Sequence, residues 1–190
     1  MSQEVLQAGA IKIMNAAIRP SVHNLATHPD SYRKDLMSDP IRNPRGTLQL
    51  RTLALPADTN PSGDIFGGWL MSQMDLGGAI MAKELTRGRV VTVAVDAMNF
   101  HLPVAVGDVV CCYGECVHVG RTSIKIKVEV WVKKVTSEPI GERYCVTEAS
   151  FSYVAVDTSK RPRVIQREHN PELEEALARI AAQSSASTAG

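Results

Sequence analysis

The segment "GGWLMSQMDLGGAIMAKEL", from Gly67 to Leu85, decides the fold, because its many Trp, Leu, Met, Ile and Ala residues predict a long buried helix. We expect the helix to end near "TRG", where Gly88 can adopt the left-handed conformation that closes helices. One carboxylate, Asp75, lies near the middle of this apolar segment. Because burying a charge is costly unless it is compensated, Asp75 is the first candidate for a functional side chain.

The segments around this helix predict strands. "TLQLRTLAL", residues 47–55, alternates apolar and polar residues before the helix. Four segments rich in Val, Ile, Thr and aromatic residues follow it: "VVTVAVDAMNF", "DVVCCYGECVHV", "TSIKIKVEVWVKK" and "ERYCVTEASFSYVAV". In the third, the side chains opposite the apolar row are Lys125, Lys127, Glu129, Trp131 and Lys133. One face of this strand should therefore be buried.

A single helix that is apolar nearly all round can be buried only if a sheet curls around it. The order of one strand, one long helix and four strands fits that arrangement. We predict an α+β fold with a five-stranded sheet wrapped around one central helix.

The composition excludes several classes of function. The chain has 190 residues, 44% of them hydrophobic, which is enough for one domain with a substantial core. Its 21 basic and 20 acidic residues leave a net charge of +1, so no strong field attracts nucleic acid or an anionic membrane. No segment approaches the roughly 20 apolar residues that span a bilayer, and the first residues lack a targeting pattern. We expect a soluble, cytoplasmic protein.

The four cysteines fall on predicted strands, at spacings that match neither a metal knuckle nor a redox pair. We interpret them as reduced core residues: Cys111, Cys112, Cys116 and Cys145.

The chain divides into three parts. Residues 1–45 have scattered Pro, His, Asn and Asp, which predicts a weakly structured N-terminal extension, and Met37 is a candidate natural start. Residues 46–166 form the predicted domain. Residues 167–190 contain a short predicted helix, "PELEEALARIAAQ", and a tail, "SSASTAG", that should be disordered.

Asp75 lies on a helix face of small residues. That face is formed by Gly68, Ser72, Gly78, Ala79 and Ala82. Gly77 and Gly78 together cost about 2 kcal/mol of helix propensity, at about 1 kcal/mol each, which indicates that some group approaches the backbone closely there. A substrate or another subunit could be that group. A purely structural role, in which Asp75 bonds a hydroxyl or a partner chain, is the alternative interpretation.

The start of the helix suggests the chemistry. Glycines in "NPSGDIFGG" leave backbone N–H groups open to a ligand oxygen. A carboxylate two turns further along could activate water while those amides stabilise an oxyanion, as in a hydrolase. The chain contains no GxSxG elbow, HExxH or GxxxxGK[ST] motif that would indicate another mechanism.

Four segments between Leu50 and Ile165 carry a specific resemblance: "LALPADTNPSGDIFGGWLMSQMDLGGAIMAKE", "GRVVTVAVDAMNF", "LPVAVGDVVCCYGECVHVGRTSIKIKVEVWVKK" and "EPIGERYCVTEASFSYVAVD". They resemble the hotdog-fold acyl-CoA thioesterases, and in particular the bacterial group called YciA. The resemblance implies a five-stranded antiparallel sheet around one helix. It also implies hydrolysis of acyl-CoA to a free acid and coenzyme A.

The resemblance implies roles for particular residues. Asp75 of "QMDLGG" would be the base or nucleophile, and Asn60 of "DTNPSGDIFGG" would assist at the reacting centre from across a dimer interface. Backbone N–H groups of Gly67 and Gly68 would hold the thioester oxygen. The dimers would assemble further, often into hexamers as trimers of dimers. The sequence departs from the group at His101, which lies where an apolar residue is more usual. For Asn60 alone, a turn-forming role is the alternative, because Asn before Pro is common in turns.

A basic segment is the candidate for coenzyme A binding. Between Gly120 and Arg167 there are ten basic and five acidic residues. "GRTS" offers a guanidinium, two hydroxyls and backbone donors suited to phosphate oxygens, from Gly120, Arg121, Thr122 and Ser123. The resemblance places coenzyme A along this part of the sheet. The alternating lysines could instead be an ordinary solvated face. No cofactor or metal is implied, since coenzyme A belongs to the substrate.

Two other functions compete with hydrolysis. A non-catalytic acyl-CoA sensor on the same fold could dispense with Asp75 and Asn60. A hydratase of this fold usually depends on a histidine near an acid, and the helix segment contains no histidine.

Overall fold

The computed structural model describes residues 43–96, 98–136 and 140–188. The strands are β1 (Thr47–Leu53), β2 (Val90–Val95), β3 (Asn99–Phe100), β4 (Val109–Val119), β5 (Ser123–Lys133) and β6 (Arg143–Ala155). The helices are α1 (Gly67–Thr86) and α2 (Pro171–Thr188), and a short 3-10 turn spans Pro56–Asp58. The predictions made for residues 1–42, including the start at Met37, lie outside the described residues.

The strands form one antiparallel sheet in the order β1-β4-β5-β6-β2, with β3 also paired to β6. The sheet curls around α1, which contacts β1, β2, β4, β5 and β6. The predicted α+β arrangement, a sheet wrapped around one long helix, is confirmed.

The strand count is six rather than five because the segment predicted as one strand after α1 is interrupted. β2 ends at Val95, and a two-residue strand, β3, resumes the pairing with β6 at Asn99. Near the interruption, the carboxylate of Asp96 accepts a hydrogen bond from Lys125 Nζ at 3.1 Å. Asp has low strand propensity, so the break falls where the sequence supports pairing least.

The core lies between α1 and the sheet, where Ile124, Ile126, Val128, Val130 and Val132 of β5 are at most 1% exposed. The opposite face of β5 is also buried at two positions. Glu129 is 1% exposed and Trp131 is 6% exposed on that other face. Glu129 Oε2 accepts hydrogen bonds from the Trp131 indole at 2.9 Å and from the backbone N–H of Arg45 at 3.2 Å. Burying this carboxylate is tolerated because it is hydrogen-bonded.

The end of α1 differs from the prediction at Gly88. Arg87, with φ of 50°, takes the left-handed conformation, and the N–H of Gly88 donates to Lys83 O at 3.1 Å. Gly88 instead leaves room for the side chain of Arg163. A Cβ atom there would lie 2.6 Å from Arg163 Nη2, and that guanidinium donates to Thr86 O at 2.8 Å.

The C-terminal helix α2 is longer than predicted. It continues to Thr188, through the serines expected to begin a disordered tail. Serine competes with helix hydrogen bonds, but here Ser184 Oγ donates to Ile180 O at 3.0 Å and Ser185 Oγ donates to Ala182 O at 2.8 Å. These bonds satisfy the hydroxyls within the helix.

The cysteines are free, as predicted, and all but Cys145 are buried. Burial raises the pKa of the Cys112 thiol to about 12 and that of Cys116 to about 11. Neither helix of the described region combines the length and the apolar character needed to cross a membrane.

Candidate active site

Asp75 lies in the middle of α1 and is half-buried. One of its carboxylate oxygens, Oδ1, accepts hydrogen bonds from Thr92 Oγ1 at 2.7 Å and from the Tyr153 hydroxyl at 3.3 Å. Thr92 on β2 and Tyr153 on β6 are directly paired in the sheet register, which explains why both reach the same oxygen. Within the described residues no hydrogen bond reaches Oδ2, so this oxygen is available for chemistry.

Gly78 makes room for the Tyr153 hydroxyl. A Cβ atom at Gly78 would collide with that hydroxyl, and a Cβ atom at Gly77 would lie 3.2 Å from Cys112 Cβ. The glycines therefore admit the protein's own sheet. The predicted close approach is confirmed, but the approaching group is the protein's own sheet and not a substrate or another subunit.

The start of α1 offers backbone donors. The residue before the helix, Phe66, makes no side-chain capping hydrogen bond. Its carbonyl accepts from the N–H groups of Trp69 at 2.9 Å and Leu70 at 3.3 Å. The N–H groups of Gly67 and Gly68 have no acceptor in the part of the chain that is described, and Gly68 is exposed. This uncapped start suits an anionic or carbonyl oxygen.

These donors and Asp75 do not meet within one chain. Gly68 and Asp75 are separated by roughly 10 Å along the helix axis, at about 1.5 Å per residue. The N–H groups point away from the helix, so an oxygen that they bind lies farther still. To react, a thioester carbon would have to lie within about 5 Å of those N–H nitrogens and, at the same time, about 3.3 Å from the water or carboxylate oxygen that attacks it. The amides and the Asp75 of one chain are too far apart to meet both conditions.

Asn60 forms the turn before α1. Its side-chain oxygen accepts from the N–H groups of Ser62 at 2.9 Å and Asp64 at 3.2 Å, and its own N–H donates to Asp64 O at 2.7 Å. The turn-forming role is thus occupied by Oδ1, and the Nδ2 group is left for another contact. Among the described contacts none joins Asn60 to Asp75.

The "GRTS" segment closes the β4–β5 hairpin, where Gly120 N–H donates to Ser123 O at 2.8 Å. The carbonyls of Arg121 and Thr122 accept from Ile165 N–H at 2.9 Å and Ala155 N–H at 2.8 Å. The turn is therefore held rigidly, and Gly120 does not offer its amide to a ligand. The exposed guanidinium of Arg121 has no partner in the described chain.

Much of the basic excess near this hairpin is used by the protein itself. Lys125 and Lys127 pair with Asp96 at 3.1 Å and Glu148 at 3.2 Å, as expected of a solvated face. Arg167 Nη2 donates to Val119 O at 3.2 Å. Arg121 is thus the candidate phosphate ligand. Searching the described residues for three or more metal-binding side chains finds no cluster.

Known proteins are similar to this chain in sequence and structure. The model of the Thioesterase superfamily matches residues 62–138. The Escherichia coli acyl-CoA thioester hydrolase YciA is 67% identical over 129 residues, which are 68% of this chain and 98% of that protein. The chain belongs to the YciA-type acyl-CoA thioester hydrolases.

Solved structures of thioesterases support the same family assignment. That of a hexameric broad-specificity acyl-coenzyme A thioesterase is 71% identical, covers 74% of this chain and 95% of its own, and superposes with a TM-score of 0.71. A hexameric hotdog-fold thioesterase of Campylobacter jejuni is 43% identical, covers 68% of this chain and 95% of its own, and gives a TM-score of 0.62. The hotdog fold is confirmed, with β3 as a sixth strand.

This YciA-type hydrolase exposes an apolar edge beside Asp75. β2 is the last strand of the sheet on that side, and large apolar side chains are exposed on it, on β3, on α1 and at the residue before α1. They are Val91, Val93, Val95, Phe66, Met71, Leu76 and Phe100. Open apolar strand edges favour association with another chain.

Sequence reasoning missed Thr92 and Tyr153, the two residues that hold the carboxylate of this YciA-type hydrolase. Period-two alternation predicts that Tyr153 lies on the same face of β6 as Phe151, but it does not predict that Tyr153 is paired with Thr92. Pairing of residues on distant strands cannot be read from one sequence. The glycine at position 78, one turn after Asp75, was the available signal of a close approach.

Proposed function

We propose that this protein hydrolyses acyl-CoA thioesters to a free carboxylic acid and coenzyme A, with Asp75 as the base that activates water. The observation that carries the proposal is the carboxylate in the middle of α1, with one oxygen held by two hydroxyls and the other open. A sensor that only binds acyl-CoA has no need of such an arrangement. Membership in the YciA-type hydrolases supports the same activity.

We further propose that each active site is built by two chains. Asp75 is too far from the amides at the start of its own helix for both to reach one thioester. A two-fold dimer through the β2 edge would bring the Asp75 of one chain to Gly67, Gly68 and Asn60 of its partner. The exposed apolar side chains on β2 and α1 support this interface.

The reaction then follows from the groups present. Water adds to the thioester carbon and passes a proton to Asp75 Oδ2. The carbonyl oxygen becomes an oxyanion that the two glycine amides stabilise. When the oxyanion collapses, the carbon–sulfur bond breaks, and the coenzyme A thiolate takes the proton back from Asp75. In the alternative route, the carboxylate attacks directly and water opens the resulting anhydride.

Coenzyme A would lie along the β4–β5 hairpin, with its phosphates at Arg121. The hydroxyls of Thr122 and Ser123 are half-buried beside it and could accept or donate further hydrogen bonds. Similar thioesterases are hexameric, and we propose a trimer of dimers for this protein and a cytoplasmic location.

The activity is tested by timed release of free thiol from a panel of acyl-CoA esters. We expect Asp75→Asn and Asp75→Ala to reduce kcat by about 100-fold or more, while coenzyme A binding is retained. Glu84→Gln, an exposed acid on the same helix, is the matched control and should have wild-type activity. Saturable acyl-CoA binding without thiol release by the wild-type protein would identify a sensor instead.

The two-chain site is tested by mixing. Asp75→Ala and Asn60→Ala are each expected to be inactive, and their chains are unfolded together and refolded at equal amounts. Random pairing makes half of the dimers hybrid, each with one intact site, so about a quarter of wild-type activity should return. A site built within one chain would give no recovery above the parent variants.

A further inference from the structure

The Tyr153 hydroxyl faces two acceptors that belong to the same residue. It lies 3.0 Å from the backbone carbonyl oxygen of Asp75 and 3.3 Å from the carboxylate oxygen Oδ1. A phenol carries a single proton, so it donates to one of these oxygens at a time or shares the proton between them. A donor placed between two oxygens of one residue can respond to a change in the charge of that residue.

We propose that Tyr153 is a positioning residue for the hydrolysis, which holds Oδ1 of Asp75 so that Oδ2 faces the substrate. The inference rests on the proposed role of Asp75. While the carboxylate is charged, donation to Oδ1 is favoured, because hydrogen bonds to charged acceptors are stronger. When Asp75 has taken the proton from water, the hydroxyl turns to the backbone carbonyl. The phenol thus follows the charge of Asp75 without leaving an unpaired buried donor.

The surroundings of Tyr153 suit a fixed donor. The side chain is fully buried, and its ring stacks on Phe151 at 6.3 Å between centroids. Burial raises the pKa of the phenol well above its ordinary range, and the nearby Asp75 raises it further. The hydroxyl therefore remains protonated over the pH range in which thioesters are assayed. Gly78 leaves the space that the hydroxyl fills.

Thr92, on the neighbouring strand, is the second hydrogen-bond donor to the Asp75 carboxylate. Its hydroxyl donates to the same oxygen at 2.7 Å, whereas Tyr153 approaches from β6. On the described elements packed around Asp75, these two hydroxyls are its side-chain hydrogen-bond donors. Neither hydroxyl changes its charge near neutral pH, so both remain hydrogen-bond donors to Oδ1.

The test is Tyr153→Phe, which removes only the hydroxyl. We expect kcat to fall about 10- to 100-fold with KM unchanged, because Oδ1 would then be held by Thr92 alone and Oδ2 would no longer be fixed towards the substrate. We also expect the acidic limb of the kcat profile to move to higher pH, since the charged carboxylate loses a donor. A merely structural role would lower the unfolding midpoint without moving that limb.

Tyr144→Phe is the matched control. Tyr144 also lies on β6, and its hydroxyl donates to Pro103 O at 3.5 Å, away from Asp75. This variant should keep the wild-type kcat and pH profile. Thr92→Val should shift the acidic limb in the same direction as Tyr153→Phe, and Thr92→Ser should restore the wild-type limb.

Gly78→Ala provides an independent variant that leaves Tyr153 in place. Its methyl group would occupy the position of the hydroxyl, so we expect the kinetic defect of Tyr153→Phe. Gly77→Ala, the adjacent helix substitution, should lack the shift in the pH profile. If Asp75→Ala is inactive while Tyr153→Phe and Gly78→Ala both keep the wild-type kcat and pH profile, the positioning role is refuted and the proposed function stands. If Asp75→Ala retains activity, the proposed function itself fails.

Discussion

Asn170 joins two helices with one side chain, and replacing it should lower stability without lowering activity. The residue is 1% exposed. Its Nδ2 donates to Leu85 O near the end of α1 at 2.8 Å, and its Oδ1 accepts from Leu173 N–H at the start of α2 at 3.3 Å. Asn170→Ala removes a helix N-cap, at about 1 kcal/mol, and leaves a buried carbonyl unpaired, at about 1–3 kcal/mol. We expect a loss of about 2–4 kcal/mol.

Asn170→Asp separates the two contributions. An aspartate still caps α2, but its second oxygen would face Leu85 O and repel it. If the bridge to α1 matters, this variant is less stable than Asn170→Ala. The free energy of unfolding is measured by urea denaturation at a fixed protein concentration, because assembly adds to apparent stability. Glu175→Ala, on the exposed side of α2, is the control.

Activity provides the second measurement. Leu85 lies roughly 15 Å along α1 from Asp75, at about 1.5 Å per residue, so kcat per folded molecule should be unchanged. The reasoning is wrong if Asn170→Asp is within about 0.5 kcal/mol of wild type, the range usual for surface substitutions. It is also wrong if Asn170→Ala lowers kcat while the protein is still fully folded.

Three further predictions concern the site and the core. Arg121→Ala should raise KM for acyl-CoA a few-fold without changing kcat, since an exposed ion pair contributes about 1 kcal/mol at most. The control is Arg161→Ala, which removes the partner of Asp157 at 3.5 Å and should change neither constant. A single turnover in ¹⁸O-water should label the acid product and leave Asp75 unlabelled in the peptide mass spectrum; label in Asp75 would identify a nucleophile. The free energy of unfolding should fall as the pH rises above 9. Above that pH, the thiols of Cys112 and Cys116 release their protons in the unfolded chain but retain them in the folded protein. Each of the two thiols should lower the free energy of unfolding by about 1.4 kcal/mol at pH 10. Urea denaturation at pH 8 and pH 10 measures this loss, which should be smaller in Cys112→Ala; equal stability of the wild type at both pH values would contradict it.

The helix and the strands were predictable because their periodicity is local. An apolar segment of helical length and four alternating segments after it leave one way to bury the helix, and the structure has that arrangement. The family resemblance added the hotdog fold and the hydrolase activity. Asp75 was recognisable as a candidate because a charged side chain in an apolar helix is costly to bury unless it is compensated.

Features that depend on which strands are neighbours were not predictable. Gly78 was interpreted as a contact with substrate or a second chain, yet Tyr153 fills that space from a strand 75 residues further along the chain. Gly88 was interpreted as a left-handed cap, yet Arg87 takes that conformation while Arg163 packs over the glycine. In both cases one sequence indicates that the glycine has a role but does not identify the side chain that lies against it.

The bare start of α1 has a consequence for protein engineering. Ser, Thr or Asp in place of Phe66 would bind the first N–H groups and stabilise the helix by about 1 kcal/mol. A laboratory selection for heat resistance alone should therefore enrich these residues at position 66. If the proposed oxyanion site is correct, the most stable variants would be inactive, because the side chain at position 66 would occupy the position proposed for the substrate's carbonyl oxygen.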